Sequence, residues 1–247
     1  MLTIKIKKMY TGPNIEQNHL VFAIDPASGR GNRCSDLVNI YSNTDAANPT
    51  FNGGATYTDN VSNEGIATME FTGNGQSITY GTDNGSRSLY DLTIIGWCKQ
   101  DSTSGPHQTV FCTSTGYQYG LKLMSYYHGQ WAAWVGAAGS ANVLVGSGHT
   151  IAGDDDFYCL ACTRSGDTTV IQLYENGIFS TESTTNAMIK LSLMESGNTG
   201  YGVDYHSNSY HYDGNLGQVW VWDKVLSADQ ILAVFNATKS RYFRDFT

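Results

Sequence analysis

Apolar residues in this chain come in runs of about five to nine, rich in β-branched and aromatic side chains and cut off by polar, glycine-bearing clusters. Such runs fall at His19–Asp25, Ala67–Thr72, Tyr90–Cys98, Gln108–Thr113, Tyr119–Met124, Gln130–Val135, Phe157–Arg164, Thr169–Glu175, Met188–Met194 and Leu216–Asp223. Each reads as a β-strand. The clusters between them include Thr72–Gly75, Thr82–Gly85, Gly197-Asn198 and Asn176-Gly177, and Asn-Gly is a strong hairpin signal. One helix is predicted, directly after the last strand. There Ser227 can accept from the Gln230 backbone N–H while the Gln230 side chain reaches back, a capping box, with Leu226 and Ile231 as a hydrophobic staple. Roughly ten strands and one helix predict an all-β fold, a jelly-roll β-sandwich of two antiparallel sheets with one short C-terminal helix.

Composition agrees with many short strands. Of 247 residues only 15% are charged, while 27 are glycine and 16 tyrosine, and a single sandwich domain of this length is ordinary. The expected layout is an N-terminal arm over 1–19, a sandwich over 20–237 and a C-terminal tail over 238–247. The formal net charge of −8 argues against nucleic acid, because phosphate binding needs clustered Lys and Arg. No apolar run reaches the ~18 residues that cross a bilayer, so no membrane insertion is expected. The amino terminus, Met1–Met9, lacks the apolar core and cleavage site of a secretory signal, which points to folding in a cytoplasm. Five cysteines (Cys34, Cys98, Cys112, Cys159, Cys162) make a poor disulfide framework. Cys159 and Cys162 have CxxC spacing, but residues three apart on a strand face opposite ways, so the pair reads as structural.

The stretch Asp213–Ile231, a strand, a turn and a capped helix, resembles the last strand and terminal helix of the laminin-G-like branch of the concanavalin A-like lectin/glucanase superfamily. The likeness extends in order over about residues 20 to 237. Leu20–Asp25 is similar to the opening strand, Met69–Ile78 to a strand, glycine turn and returning strand, and Tyr90–Lys99 to the central strand with an inward Trp97. Phe157–Arg164 and Val170–Gly177 resemble paired strands ending in an Asn-Gly hairpin. The superfamily holds lectins, adhesion modules, coat proteins and glycoside hydrolases, so the fold alone does not choose a function.

Hydrolases of this superfamily place closely spaced carboxylates along one strand to flank a scissile bond. No such run is present, and Asp154-Asp155-Asp156 reads as a solvated turn. The other familiar catalytic motifs are missing from the sequence too, so the chain is expected to be no enzyme. The resemblance also implies a calcium ion at the sheet rim, for which Asp83, Asp204 and Asp213 are the candidate ligands. Thr72 and Gln218 stand where relatives often carry acids.

Two aromatic segments are candidates for glycan or partner contact. One is Gly200–Asp213, with Tyr201, Tyr205, Tyr210 and Tyr212 beside His206 and His211; the other is Tyr126–Trp131, with Tyr126, Tyr127 and Trp131, and Trp134 nearby. Tyrosines also fill sandwich rims with their rings inside and hydroxyls wet. Both chain ends read as attachments. Leu2, Ile4 and Ile6 alternate with Thr3, Lys5 and Lys7, a strand that could pair in its own sheet or add to another subunit's edge. Lys239–Thr247 mixes basic and aromatic residues. A module of this kind without a signal or paired cysteines resembles structural proteins of tailed bacteriophages. The leading expectation is therefore a non-enzymatic virion protein, a capsid decoration or tail-associated protein on the virion surface, assembled in host cytoplasm. Its partners would be other virion proteins or copies of itself, with host polysaccharide as a further ligand. The alternatives are a carbohydrate-binding lectin module for host polysaccharide and, after it, a polysaccharide hydrolase.

Overall fold

The computed structural model describes residues 14–26, 39–42, 46–54, 56–58, 68–73, 75–82, 87–89, 91–101, 107–113, 121–126, 130–137, 140–150, 156–166, 170–184, 191–193, 199–201 and 211–243. With strands numbered in chain order, one sheet holds nine: β1 (Leu20–Ile24), β2 (Asn39–Ser42), β4 (Thr56–Thr58), β5 (Thr68–Thr72), β8 (Leu92–Gln100), β13 (Tyr158–Arg164), β14 (Val170–Glu175), β15 (Ile178–Thr184) and β18 (Asp213–Trp222). Its main path runs β15-β14-β13-β8-β18-β1-β2, with β5 and β4 attached beside the first half of β18. The other sheet holds seven: β3 (Ala46–Asn52), β6 (Ser77–Thr82), β9 (His107–Cys112), β10 (Leu121–Tyr126), β11 (Gln130–Ala137), β12 (Ser140–Thr150) and β17 (Thr199–Tyr201), in the order β12-β11-β10-β9-β17-β6-β3. A small ribbon pairs β7 (Arg87–Leu89) with β16 (Leu191–Leu193). Among the described residues every pairing is antiparallel, as the jelly-roll expectation requires.

The nine-stranded sheet is covered on both faces, and its central strands show it in their sequences. All residues of β8 and β13, and all of β18 after Asp213, are buried. Side chains alternate between two apolar layers. Leu216, Val219 and Val221 of β18 join Ile94, Cys98, Leu160 and Cys162 in the layer between the sheets, against Phe111, Leu121, Leu123 and Trp131. Trp220 and Trp222 face the other way, with Ile95, Trp97, Cys159 and Ala161, into a layer closed by a helix. Trp97 therefore points away from the inter-sheet core, contrary to its expected inward placement. The partition also puts Cys159 and Cys162 on opposite faces.

That helix, α1 (Ala228–Thr238), starts where the sequence predicts, with both hydrogen bonds of the Ser227–Gln230 capping box in place. Ile231 and Val234 turn its buried side to the sheet, beside Leu226. A 3-10 turn over Lys239–Arg241 follows, and the chain then folds back. Tyr242 stacks on Trp97 at 4.3 Å between ring centroids, with Phe243 edge-on at 5.5 Å, while Trp97 Nε1 donates to Thr238 Oγ1 at 2.9 Å. Up to Phe243, the expected sticky tail is thus a wall of the body's own second apolar layer. At the other end, Ile15 sits in the same layer, and Trp222 Nε1 donates to the Glu16 carbonyl at 2.8 Å, so the sandwich begins before residue 20.

A polar latch holds this wrap. Asp25, nearly buried, accepts from Gln218 Nε2 at 2.7 Å and from Arg241 Nη1 at 3.0 and 2.9 Å. The Tyr242 hydroxyl accepts from the Gln218 backbone N–H at 2.9 Å. Gly217 makes the approach feasible, since a Cβ there would lie 2.4 Å from the Tyr242 hydroxyl oxygen. Among the described residues, no helix is long and apolar enough to cross a membrane.

Two predictions follow from this packing. Trp97→Ala removes the centre of the aromatic stack and should lower unfolding free energy by about 3–5 kcal/mol in denaturant titration, and Gly217→Ala should act in the same direction by expelling Tyr242. Burial pushes the thiols of Cys98, Cys159 and Cys162 above their ordinary value. The folded state holds these protons more tightly than the unfolded one. Their contribution to stability is therefore full below the unfolded thiol pKa of ~8.5 and declines as pH rises past it. Native protein should resist alkylation at these three positions, and urea midpoints should fall from about pH 8.5 upward.

Candidate functional site

Antiparallel register gathers many strand ends at one rim of the sandwich. Here β3, β5, β8, β10 and β12 end, and β6, β9, β11 and β18 begin. Tyr126 pairs with both His107 and Gln130, Gln130 with Thr150, Asn52 with Ser77, and Asp213 with Thr72. Both aromatic segments picked out in the sequence reach this rim. Tyr126, the last residue of β10, leads into the β10–β11 connection. Tyr201 ends β17 opposite Ile78 and Phe111, and the chain is back at the rim by His211, whose Nδ1 lies 3.3 Å from the Gln76 carbonyl oxygen.

The returning strap His211–Asp213 is laced on three sides. The Gly73 N–H donates to the Tyr212 carbonyl at 3.0 Å, the Asp213 N–H donates to Gln108 Oε1 at 3.0 Å, and the Asp101 N–H donates to the Asp213 carbonyl at 3.1 Å. Gln76 ties two turns together, accepting from the Thr72 N–H and donating to the Gly54 carbonyl. Gly214 sits at φ 138°, and a Cβ there would fall 2.2 Å from the Lys99 carbonyl oxygen, so the strap has one way to dock. Sequence reading missed Gln76 and Gln108, because each makes its contact with a residue remote in the chain or across a turn.

The predicted contact residues separate on inspection. Trp131 and Tyr212 are 1% and 0% exposed, members of the inter-sheet core, with Trp131 tilted against Tyr158 at 5.6 Å. They offer no ring to a partner, which corrects their assignment as contacts: Trp131 occupies a β11 position whose pleat faces inward, and Tyr212, just before β18, is turned into the same core. His211 is half-buried. Tyr126 and Tyr201 lie on strands that end near the rim, while Tyr127, Tyr205, Tyr210, Asp83 and Asp204 lie outside the described residues.

The rim is acidic. Asp101 and Asp156 are exposed, and Asp213 is half-buried, its carboxyl pushed above the usual carboxylate range by burial. In sequence, the connecting segments 102–106, 127–129, 151–155 and 202–210 contain Asp154, Asp155 and Asp204 and no lysine or arginine. Calcium fits the described part of this site poorly. A hard cation wants six or more oxygens, several charged, yet among the described residues no group of three potential ligands gathers. Gln218, at the position where relatives often carry an acid, is committed to Asp25, and burial disfavours a charged Asp213.

On the far side of the seven-stranded sheet, away from the inter-sheet core, register places Thr109, Lys122, Met124, Ala132 and Trp134 on one face. All are buried, and Lys122 Nζ sits 4.4 Å from the Trp134 ring centroid. These five residues include no carboxylate.

Two antiparallel sheets, one capped terminal helix and a loop-bearing rim define a lectin-type β-sandwich. The Laminin_G_3 family model, described as concanavalin A-like lectin/glucanases superfamily, matches residues 71–232, and the chain belongs to that superfamily. No curated protein matches it. Among solved structures it is similar to the binding domain of Paraclostridial mosquitocidal protein 1, with TM-score 0.65 and 15% identity over 89% of this chain and 52% of that one. The ligand binding domain of botulinum neurotoxin serotype D, in complex with N-acetylneuraminic acid, gives TM-score 0.63 and 15% identity over 89% and 51%. The CBM40 of Ruminococcus gnavus IT-sialidase, bound to α2,3-sialyllactose, gives 0.51 and 18% over 60% and 83%. The chain thus spans about half the length of the toxin domains it matches, and at these identities the likeness is one of fold.

The raised pKa of Asp213 sets the sign of a prediction. Its folded carboxyl favours the protonated form, a contribution present at low pH and lost as pH rises past the unfolded value of ~3.9. Asp213→Asn should therefore leave stability at pH 7 within about 0.5 kcal/mol, and neither calcium nor chelator should shift the melting midpoint. A rise of several degrees with calcium would restore the metal site.

Proposed function

We propose that this chain is a non-enzymatic, lectin-like binding module whose rim contacts a neutral glycan. The observation that carries this reading is the convergence of the two tyrosine-bearing segments on one laced rim. Aromatic rings can stack on sugar rings, and amide, hydroxyl and carboxyl groups can hydrogen-bond sugar hydroxyls. Similarity to the toxin binding domain in complex with N-acetylneuraminic acid and to the sialyllactose-bound CBM40 supports a glycan ligand. The acidic rim favours an uncharged sugar over a sialylated one, since a like charge brought to the rim costs affinity.

For the setting, we propose the surface of a virus particle, built in host cytoplasm. Cys98, Cys112, Cys159 and Cys162 are buried and in no disulfide, which supports folding in a reducing compartment. Mass spectrometry of purified particles is the check, and particles lacking the chain would remove this setting.

A glycan array comparing neutral polysaccharide fragments with sialylated ones tests the ligand. Binding to neutral glycans is expected, weakened at least about tenfold by Tyr126→Ala or Tyr205→Ala if the ring is a hot spot. Trp131→Ala should act only through stability. Binding confined to sialylated glycans, or unaffected by either tyrosine substitution, would overturn the reading.

A further inference from the structure

Strand β15 differs from its neighbours in that none of its residues is buried. It closes one end of the nine-stranded sheet and, among the described strands, pairs only with β14. As the last described strand on that side of the sheet, β15 is a template for one more strand. It also carries the most exposed large apolar side chains among the described residues. Ile178 is 69% and Phe179 48% exposed, and the Asn176-Gly177 turn sets the hairpin beside α1, where Leu232 is 40% exposed. Phe179 keeps only an edge contact with Tyr174, at 5.7 Å. The charges here have one sign: Val170–Thr184 contains Glu175 and Glu182 and no lysine or arginine.

One segment of the chain has the complementary pattern. Leu2, Ile4 and Ile6 alternate with Thr3, Lys5 and Lys7, and Lys8 follows. As a strand this segment has an apolar face for Phe179 and Leu232, together with positive charge for an acidic edge on a protein of net charge −8. We infer that Leu2–Lys8 of a second copy adds to β15, joining copies head to tail by strand addition. The chain's own β15 is the less suited acceptor. Ile15 and Glu16 are pinned beside Trp222 and Gln230, on one flank of α1, whereas β15 starts at the other flank, where Gly177 meets Leu232 and Phe235. Between them lie β18, β8, β13 and β14. Because donor and acceptor are different surfaces, the contact is heterologous and generates rings or filaments rather than a closed two-fold dimer.

Complementation between two full-length variants tests this. Ile4→Asp with Ile6→Asp spoils the donor and leaves the edge intact; Phe179→Lys spoils the edge and leaves the donor intact, with Ile178→Lys as a second edge variant. Circular dichroism checks that each folds. In sedimentation velocity the unaltered protein should show concentration-dependent species larger than a monomer, each variant alone should be monomeric, and an equimolar mixture of donor and edge variants should recover a dimer and nothing larger. A monomeric unaltered protein at every concentration, assembly that survives the donor substitutions, or a mixture that stays monomeric would each overturn the proposal.

Discussion

The structure depends on one constraint: the central sheet is buried on both faces, and β18 runs through its middle with a separate apolar layer on either side. Val219 and Val221 face the partner sheet, while Trp220 and Trp222 face the helix. Each large side chain so buried contributes about 1.5–3 kcal/mol relative to exposure, and neither layer closes without the other's elements in place. The second sheet covers one face. Covering the other takes a helix, a 3-10 turn and the residues up to Phe243, so residues 228–243 are structural.

The Asp25–Gln218–Arg241–Tyr242 latch follows from that requirement. A carboxylate brought to the edge of an apolar layer is tolerable only when paired and hydrogen-bonded. Arg241 supplies the charge, with a third of its side chain still in solvent, and Gln218 supplies a further donor. The phenol of Tyr242 then satisfies a backbone N–H at the β18 bulge, where the ladder with β8 is interrupted between Leu216 and Val219. Burial pushes that phenol above its ordinary pKa, so it stays a neutral group over the physiological range.

Function in this architecture falls to what the rigid body leaves uncovered. One such place is the rim, where backbone groups of the strap His211–Asp213 are committed to Gly73, Gln108 and Asp101 and where the glycan contact is proposed. The other is the β15 edge. The two surfaces differ in chemistry, acidic at the rim and apolar at β15, so the proposed glycan contact and the proposed self-association do not compete for one surface.

Much of the fold was legible in the sequence because it is written in local patterns. Short β-rich runs, the Asn176-Gly177 turn and the Ser227–Gln230 box each depend on neighbours within a few residues, and β8 to β11, β13 and β14 follow the expected strands closely. What escaped was set by remote partners. Ser140–Thr150 carries two glycines and several polar residues, and becomes the longest strand because β11 offers it a ladder. Trp97, Trp131 and Tyr212 are aromatic residues of similar promise in a sequence. Only the pleat, the register and the presence of a third layer decide that the first meets the helix and the other two meet the core. Composition and spacing determined that this chain is a β-sandwich with a capped terminal helix, because hydrophobic periodicity and capping are short-range. Which aromatic rings are buried, and which loops share a rim, was decided by the tertiary structure, because strand order brings together residues that local pattern cannot relate.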